Sequence, residues 1–190
     1  MSTAADASLV ASEPSAPSAV RSISIPPALV AVAAIGLAAA ALIKFDLSGR
    51  AFVAAFYCAV LVMLARIDLE RRVIPNRIVV PAAAVVLFGD IAAEPHRAKE
   101  WTIAAFATML GALAISSSTR GGVGMGDVKL ALLLGAGLGW NVLGGLVLGL
   151  SATFVAALVI IARRGVGARK ETIPFGPFLA LGALLALFLS

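Results

Sequence analysis

Charged side chains interrupt this chain at long intervals, and the stretches between them are almost wholly apolar. The uncharged windows run over residues 22–43, 51–65, 78–89, 101–119, 130–162 and 172–190. Most of them, with their flanks, approach the roughly 20 residues a helix needs to cross a bilayer. The window 130–162 is too long for one crossing. Its 33 residues would reach about 50 Å as a helix, against a hydrocarbon core of about 30 Å. It contains Gly135, Gly137, Gly139, Trp140 and Asn141, which suit a turn between two helices. The pattern predicts seven spans, near 25–43, 51–67, 78–93, 101–117, 127–139, 142–162 and 174–190: an all-α, polytopic membrane helix bundle.

The basic residues test that count. Seven spans place Arg21, Arg66, Arg71, Arg72, Arg77, Arg120, Lys129, Arg163, Arg164, Arg169 and Lys170 on one side and Lys44, Arg50, Arg97 and Lys99 on the other. Leaving 130–162 unbroken moves the last four of the first group across and removes the bias. Cytoplasmic loops carry the excess of Lys and Arg, so seven spans with a cytoplasmic N-terminus in the cell membrane is the expected topology.

Composition agrees. Hydrophobic residues make up 61% of the 190 and charged residues 13%, about half the usual charged share, and the mean hydropathy is +1.05. A water-soluble core and intrinsic disorder are both excluded by so little polar surface, and the bilayer is the expected solvent and partner. The net charge of +5 reads as topology rather than as a nucleic-acid footprint. Residues 1–24, rich in Ser, Ala and Pro, lack the basic start of a signal peptide and read as a flexible cytoplasmic tail. The alanine- and valine-rich span over 25–43 reads as an anchor added to a core of six helices.

Two aspartates fall where a solvated loop does not explain them. Asp68 ends the second span in Arg66-Ile-Asp-Leu-Glu-Arg-Arg-Val-Ile-Pro-Asn76, and Asp127 opens the fifth in Gly121-Gly-Val-Gly-Met-Gly-Asp-Val-Lys-Leu130. The topology puts both at the cytoplasmic edge of the membrane, where a carboxylate is costly unless paired, hydrated or used. Two close carboxyl groups cannot both ionise cheaply, so one holds a proton while the other activates a water. That is the chemistry of aspartyl peptide hydrolysis. It needs no metal and no cofactor, and none is expected: the chain has one Cys, one His and no clustered ligand set. Gly124 and Gly126 let another backbone approach Asp127, although spacing alone favours a plain interhelical loop. Pro75 suits the first turn of a helix. Asn76 suits either a cap or the site, and Lys129 either topology or tuning of Asp127.

Together these stretches resemble the type IV prepilin peptidases, a family of membrane aspartyl proteases. The residues that carry the resemblance are Asp68 with Ile74-Pro75-Asn76, then Gly124-Met125-Gly126-Asp127-Val128-Lys129, then Ile173-Pro174-Phe175-Gly176-Pro177-Phe178-Leu179 at the start of the last span. Their order and placement match the family over a domain of residues 50–190. The resemblance implies that Asp68 and Asp127 are the catalytic pair and that Gly124, Gly126, Pro75, Asn76 and Lys129 shape the site. It implies a prepilin or pseudopilin precursor as substrate, cut after a glycine between a short basic leader and an apolar helix. Larger members carry an extra cytoplasmic region with paired cysteines, associated with methylating the new N-terminus. This sequence, with one cysteine, resembles the short peptidase-only members, including those linked to tight-adherence pili.

Presenilin-like proteases share Gly-x-Gly-Asp but pair it with Tyr-Asp, whereas Tyr57, the single tyrosine, lies eleven residues before Asp68. A transporter or pilus-assembly scaffold with degenerate aspartates is the non-enzymatic alternative. Of the remaining residues, Asp90 and Glu94 are expected at the opposite interface, and Asp46 and His96 in solvent. Gly111, Gly144, Gly145 and Gly149 suit close helix packing, and Trp101 and Trp140 an interfacial aromatic belt.

Overall fold

The computed structural model describes residues 26–118, 124–164 and 175–190. The proposed tail, Arg21, Arg120, Gly121, Gly122, Arg169, Lys170, Ile173 and Pro174 lie outside the described residues. Among the described residues seven α-helices follow one another: α1 (Pro27–Lys44), α2 (Gly49–Arg71), α3 (Asn76–Ala93), α4 (Ala98–Ser118), α5 (Met125–Leu138), α6 (Val142–Arg164) and α7 (Gly176–Leu189). There is no strand among the described residues.

Each boundary has a local cause. Pro27 stands in the first turn of α1, where its missing N–H costs nothing. The Ser48 hydroxyl caps α2 by accepting from the Ala51 N–H at 3.3 Å, and α2 ends where Arg72 turns left-handed at φ 52°. Gly139, at φ 56°, opens the 3-10 turn Gly139–Asn141 that separates α5 from α6. The turn is confined to those three residues, and the helix runs unbroken through Gly135 and Gly137.

Five stretches are long and apolar enough to cross a membrane: Pro27–Lys44, Gly49–Arg71, Asn76–Ala93, Pro95–Ser118 and Met125–Arg163, with Gly176–Leu189 as a shorter apolar helix. Among the described residues the chain is therefore a multi-pass membrane bundle with about six apolar segments rather than seven. The difference lies in α5 and α6, which together form the single apolar stretch Met125–Arg163; α5 itself has 14 residues and extends about 21 Å.

α5 sits between α3, α4 and α7, while α2 joins α1, α3 and α7, and α6 packs chiefly on α7. Glycine permits the closest crossings. A Cβ at Gly182 would strike the backbone of Gly145 and Gly149 on α6, and one at Gly137 would strike the Tyr57 ring on α2. The core runs through Leu61, Leu64, Val79, Val86, Leu130, Leu133, Leu134 and Ala183. α1 buries only Ala41, and its outer face shows Leu29, Val32 and Ile35, as a lipid-facing helix does. Lys44 Nζ, at the end of α1, donates to the carbonyls of Leu187 (2.9 Å) and Ser190 (2.7 Å) at the end of α7.

Several expectations change once tertiary packing is visible. Gly145 and Gly149 do serve close packing, but a Cβ at Gly111 or Gly144 would meet no described residue within 4 Å. Trp140 is exposed, whereas Trp101 is fully buried, with the Arg50 and Arg97 guanidinium groups 4.8 and 4.6 Å from its ring. Asp90 is buried inside the protein as well, and its carbonyl accepts the Glu94 N–H at 2.9 Å. Glu94 pairs with Arg50 (3.5 Å) and Arg97 (2.9 Å), and Arg97 also binds Glu100 at 2.7 Å. These charges share one end of the bundle because α2, α3 and α4 all turn there. Asp46 and His96 are exposed, as expected.

Candidate active site

At the other end of the bundle, three separate stretches of chain converge. Asp68 lies in the last turn of α2, and its carbonyl accepts the N–H of Arg72 at 2.8 Å. Its side chain points inward and is buried. Gly176, the first residue of α7, donates its backbone N–H to Asp68 Oδ2 at 3.0 Å. Helix N-termini present unpaired N–H groups and a partial positive charge, so the start of α7 is a natural seat for that carboxylate. The contact is tight: a Cβ on Gly176 would lie 2.7 Å from Oδ2.

Asp127 sits in the first turn of α5, with its carboxylate at its own helix N-terminus. Gly124 is the N-cap, and its carbonyl accepts the Asp127 N–H at 3.0 Å. Gly126 faces the α2–α3 connection, where a Cβ would lie 3.0 Å from Ile74 Cβ. Bare backbone at position 126 therefore lets the Ile74-Pro75-Asn76 stretch close against the start of α5. Asp127 lines the same cleft as Phe175, the neighbour of the residue that holds Asp68, so the two aspartates stand at one end of the bundle within electrostatic reach of each other. Arg72 is a cation within electrostatic reach of Asp68.

The other expected site residues divide. Pro75 is the N-cap of α3 rather than its first helical residue, and its carbonyl accepts from Ile78 and Val79. Asn76 opens α3 with its side chain exposed and provides no cap bond. Lys129 is half-buried and forms no ion pair with a described residue. Gly176 was legible only as part of a motif; a glycine set between prolines at a helix start, facing an acid from another span, is the signal that marks it. Among the described residues no group of three or more His, Cys, Asp or Glu side chains is placed to hold a metal ion. Two carboxyl groups at one end of the bundle, one of them fixed by a backbone N–H, are the groups that activation of a water by a pair of acids requires.

The comparisons with known proteins point the same way. A sequence profile described as the type IV leader peptidase family matches residues 55–163. The prepilin leader peptidase/N-methyltransferase of Burkholderia pseudomallei is 36% identical over 167 residues, covering 84% of this chain and 53% of that protein. The protein of the same name from Bacillus subtilis is 31% identical over 157 residues, covering 79% and 60%. That from Pseudomonas aeruginosa is 32% identical over 136 residues, covering 67% and 46%. The chain thus spans about half the length of these curated relatives. No solved structure matches it. The profile match takes in more than half of the chain and both aspartate motifs, and the chain belongs to the type IV leader peptidase family.

Proposed function

We propose that this protein is an aspartyl endopeptidase of the cell membrane that removes the short leader of a prepilin or pseudopilin precursor at the cytoplasmic face. The observation that carries the reading is that Asp68, held by the Gly176 N–H, and Asp127, lining the same cleft as Phe175, stand at one end of the bundle on two different helices. In this reaction the ionised aspartate takes a proton from the water held between the pair. The resulting hydroxide attacks the scissile carbonyl carbon while the protonated aspartate donates to the carbonyl oxygen. Collapse of the tetrahedral species breaks the C–N bond, the leaving amine takes up a proton, and the pair returns to one proton shared between two acids.

The names of the relatives support a prepilin substrate, and leader cleavage is the part of those names that two aspartates account for. The excess of Lys and Arg in the loops at the Asp68 end supports a cytoplasmic orientation for that end. Arg66, Arg71, Arg72 and Arg77 are its described members in and after α2. A transporter or scaffold gains no support, since the two acids share one end of the bundle beside the family motifs.

The test is replacement of either aspartate by asparagine, which keeps size and removes the acid. Asp68→Asn and Asp127→Asn should each abolish trimming of a co-expressed precursor, read as a mobility shift, while membrane abundance stays at the wild-type level. Trimming at the wild-type rate by either variant sinks the two-aspartate mechanism.

A further inference from the structure

α4 packs chiefly on α5, and α6 chiefly on α7, so α4 and α6 stand apart with α5 between them. The space they flank is a cleft of about 420 Å³. Asp127 and Phe175 lie at one end and Trp140 at the other, with Ala107 and Gly111 on the α4 wall and Leu146 on the α6 wall. From Asp127 to Trp140 is 13 residues, about 20 Å along α5. The cleft is therefore an apolar channel along the bundle that ends on one of the two acids.

We propose that this cleft receives the apolar helix of the substrate, entering sideways from the lipid, so that the helix start meets Asp127. The proposal rests on the peptidase reading above and identifies the surface by which that enzyme recognises its substrate.

Two observations favour a helix over acyl chains as the occupant. The first is the contrast between two faces of α4. Where α4 faces outward it carries Phe106, Leu110 and Leu113, all exposed. Where it faces the cleft it carries Ala104, Ala107, Thr108, Gly111 and Ala112, with Ile115 as the one large side chain. Lipid tails need no small residues, whereas an approaching helix does, because short side chains allow backbones to come close. Gly111 has no described residue within 4 Å of its missing Cβ, so packing against the described helices does not explain it. The second is the treatment of the hydroxyl in the wall. Thr108 Oγ1 donates to the carbonyl oxygens of Ala104 (2.7 Å) and Ala131 (2.9 Å). The cleft thereby offers Asp127 as its ionisable group, at the end where a peptide bond has to be presented. An apolar helix preceded by a cleavable extended segment has that same distribution of polarity.

The test uses the full-length protein in lipid nanodiscs and two substrates. One is a precursor with a short basic leader ending in glycine, followed by its apolar helix. The other is a peptide of the same leader that stops a few residues beyond the cleavage site. Gly111→Leu fills the cleft, and Gly36→Leu, on the lipid face of α1 and also open around its missing Cβ, is the control. Gly111→Leu should raise KM for the precursor roughly tenfold and leave the short peptide unaffected, while Gly36→Leu matches wild type on both. A photo-crosslinking benzoylphenylalanine at Leu143, on the α6 wall, should capture the precursor in an Asp127→Asn background, and the same group at Val32 on α1 should not. An unchanged precursor KM in Gly111→Leu without capture from position 143 overturns the cleft while leaving the peptidase standing. Equal slowing on both substrates overturns it too, since that reports a distorted site. If no variant cleaves the short peptide, capture at 143 against 32 decides. A wild-type protein that cleaves neither substrate removes the peptidase reading and the cleft with it.

Discussion

The backbone N–H of Gly176 donates to Oδ2 of Asp68 at 3.0 Å, joining the start of α7 to the end of α2 across 108 positions of sequence. This bond orients an acid that otherwise sits on the last turn of a helix, where side chains are least restrained. It also explains why the position is glycine, because a Cβ there would stand 2.7 Å from the oxygen it binds.

Gly176→Ala should therefore displace Asp68 without unfolding the bundle. Misplacing a reacting group by about 1 Å costs on the order of a hundredfold in rate. The expected outcome is a loss of that size in kcat for precursor cleavage, with KM and the thermal unfolding midpoint close to wild type. A large fall in the unfolding midpoint with kcat retained would contradict the positioning role.

The contact between Gly126 and Ile74 brings the second acid to the first. Gly126→Val would push its Cβ into Ile74 Cβ, now 3.0 Å from where that atom would be, and drive the α2–α3 connection away from α5. Activity should fall at least tenfold. Adding Ile74→Ala makes room, so the double variant should cleave faster than Gly126→Val alone, a non-additivity expected of residues in contact. Additive losses in kcat/KM would show that the two positions act separately.

The opposite end of the bundle should respond in the other sense. Arg97 holds Glu94 and Glu100 and lies 4.6 Å from the buried Trp101 ring. Arg97→Met keeps the stem and removes the charge. It should destabilise the fold by about 1–3 kcal/mol and expose Trp101, read as a red shift of its fluorescence, with precursor cleavage per folded molecule unchanged. A selective loss of cleavage would mean that this end communicates with the aspartates.

The sparse charges made most of the helix limits legible in the sequence. The first uncharged window ends at Lys44, as α1 does, and the glycine-rich break in the longest window falls at the Gly139 turn. Asp68 and Asp127 were legible for the same reason, since an acid next to an apolar run has few structural explanations. Trp101 and Asp90 were not. Each stands near a span end in sequence, and only the packing of α2, α3 and α4 decides whether a span end is a surface. Gly111 and Gly145 look alike as letters, and only the neighbouring helix distinguishes a crossing from an open cleft. The role of Gly176 was hidden because its partner, Asp68, lies five helices away in chain order.

The shortness of α5 has a consequence for where water can go. Trp140 is exposed beside the end of α5, and tryptophan anchors at the headgroup level, so the shortfall of a helix about 21 Å long against a core of about 30 Å falls at the Asp127 end. Most of α5 is buried among its neighbours, so lipid does not feel that shortfall. The space beyond its first turn is a recess inside the protein, and water entering it meets the Asp127 carboxylate below the headgroup level, where the proposed hydrolysis would draw on it.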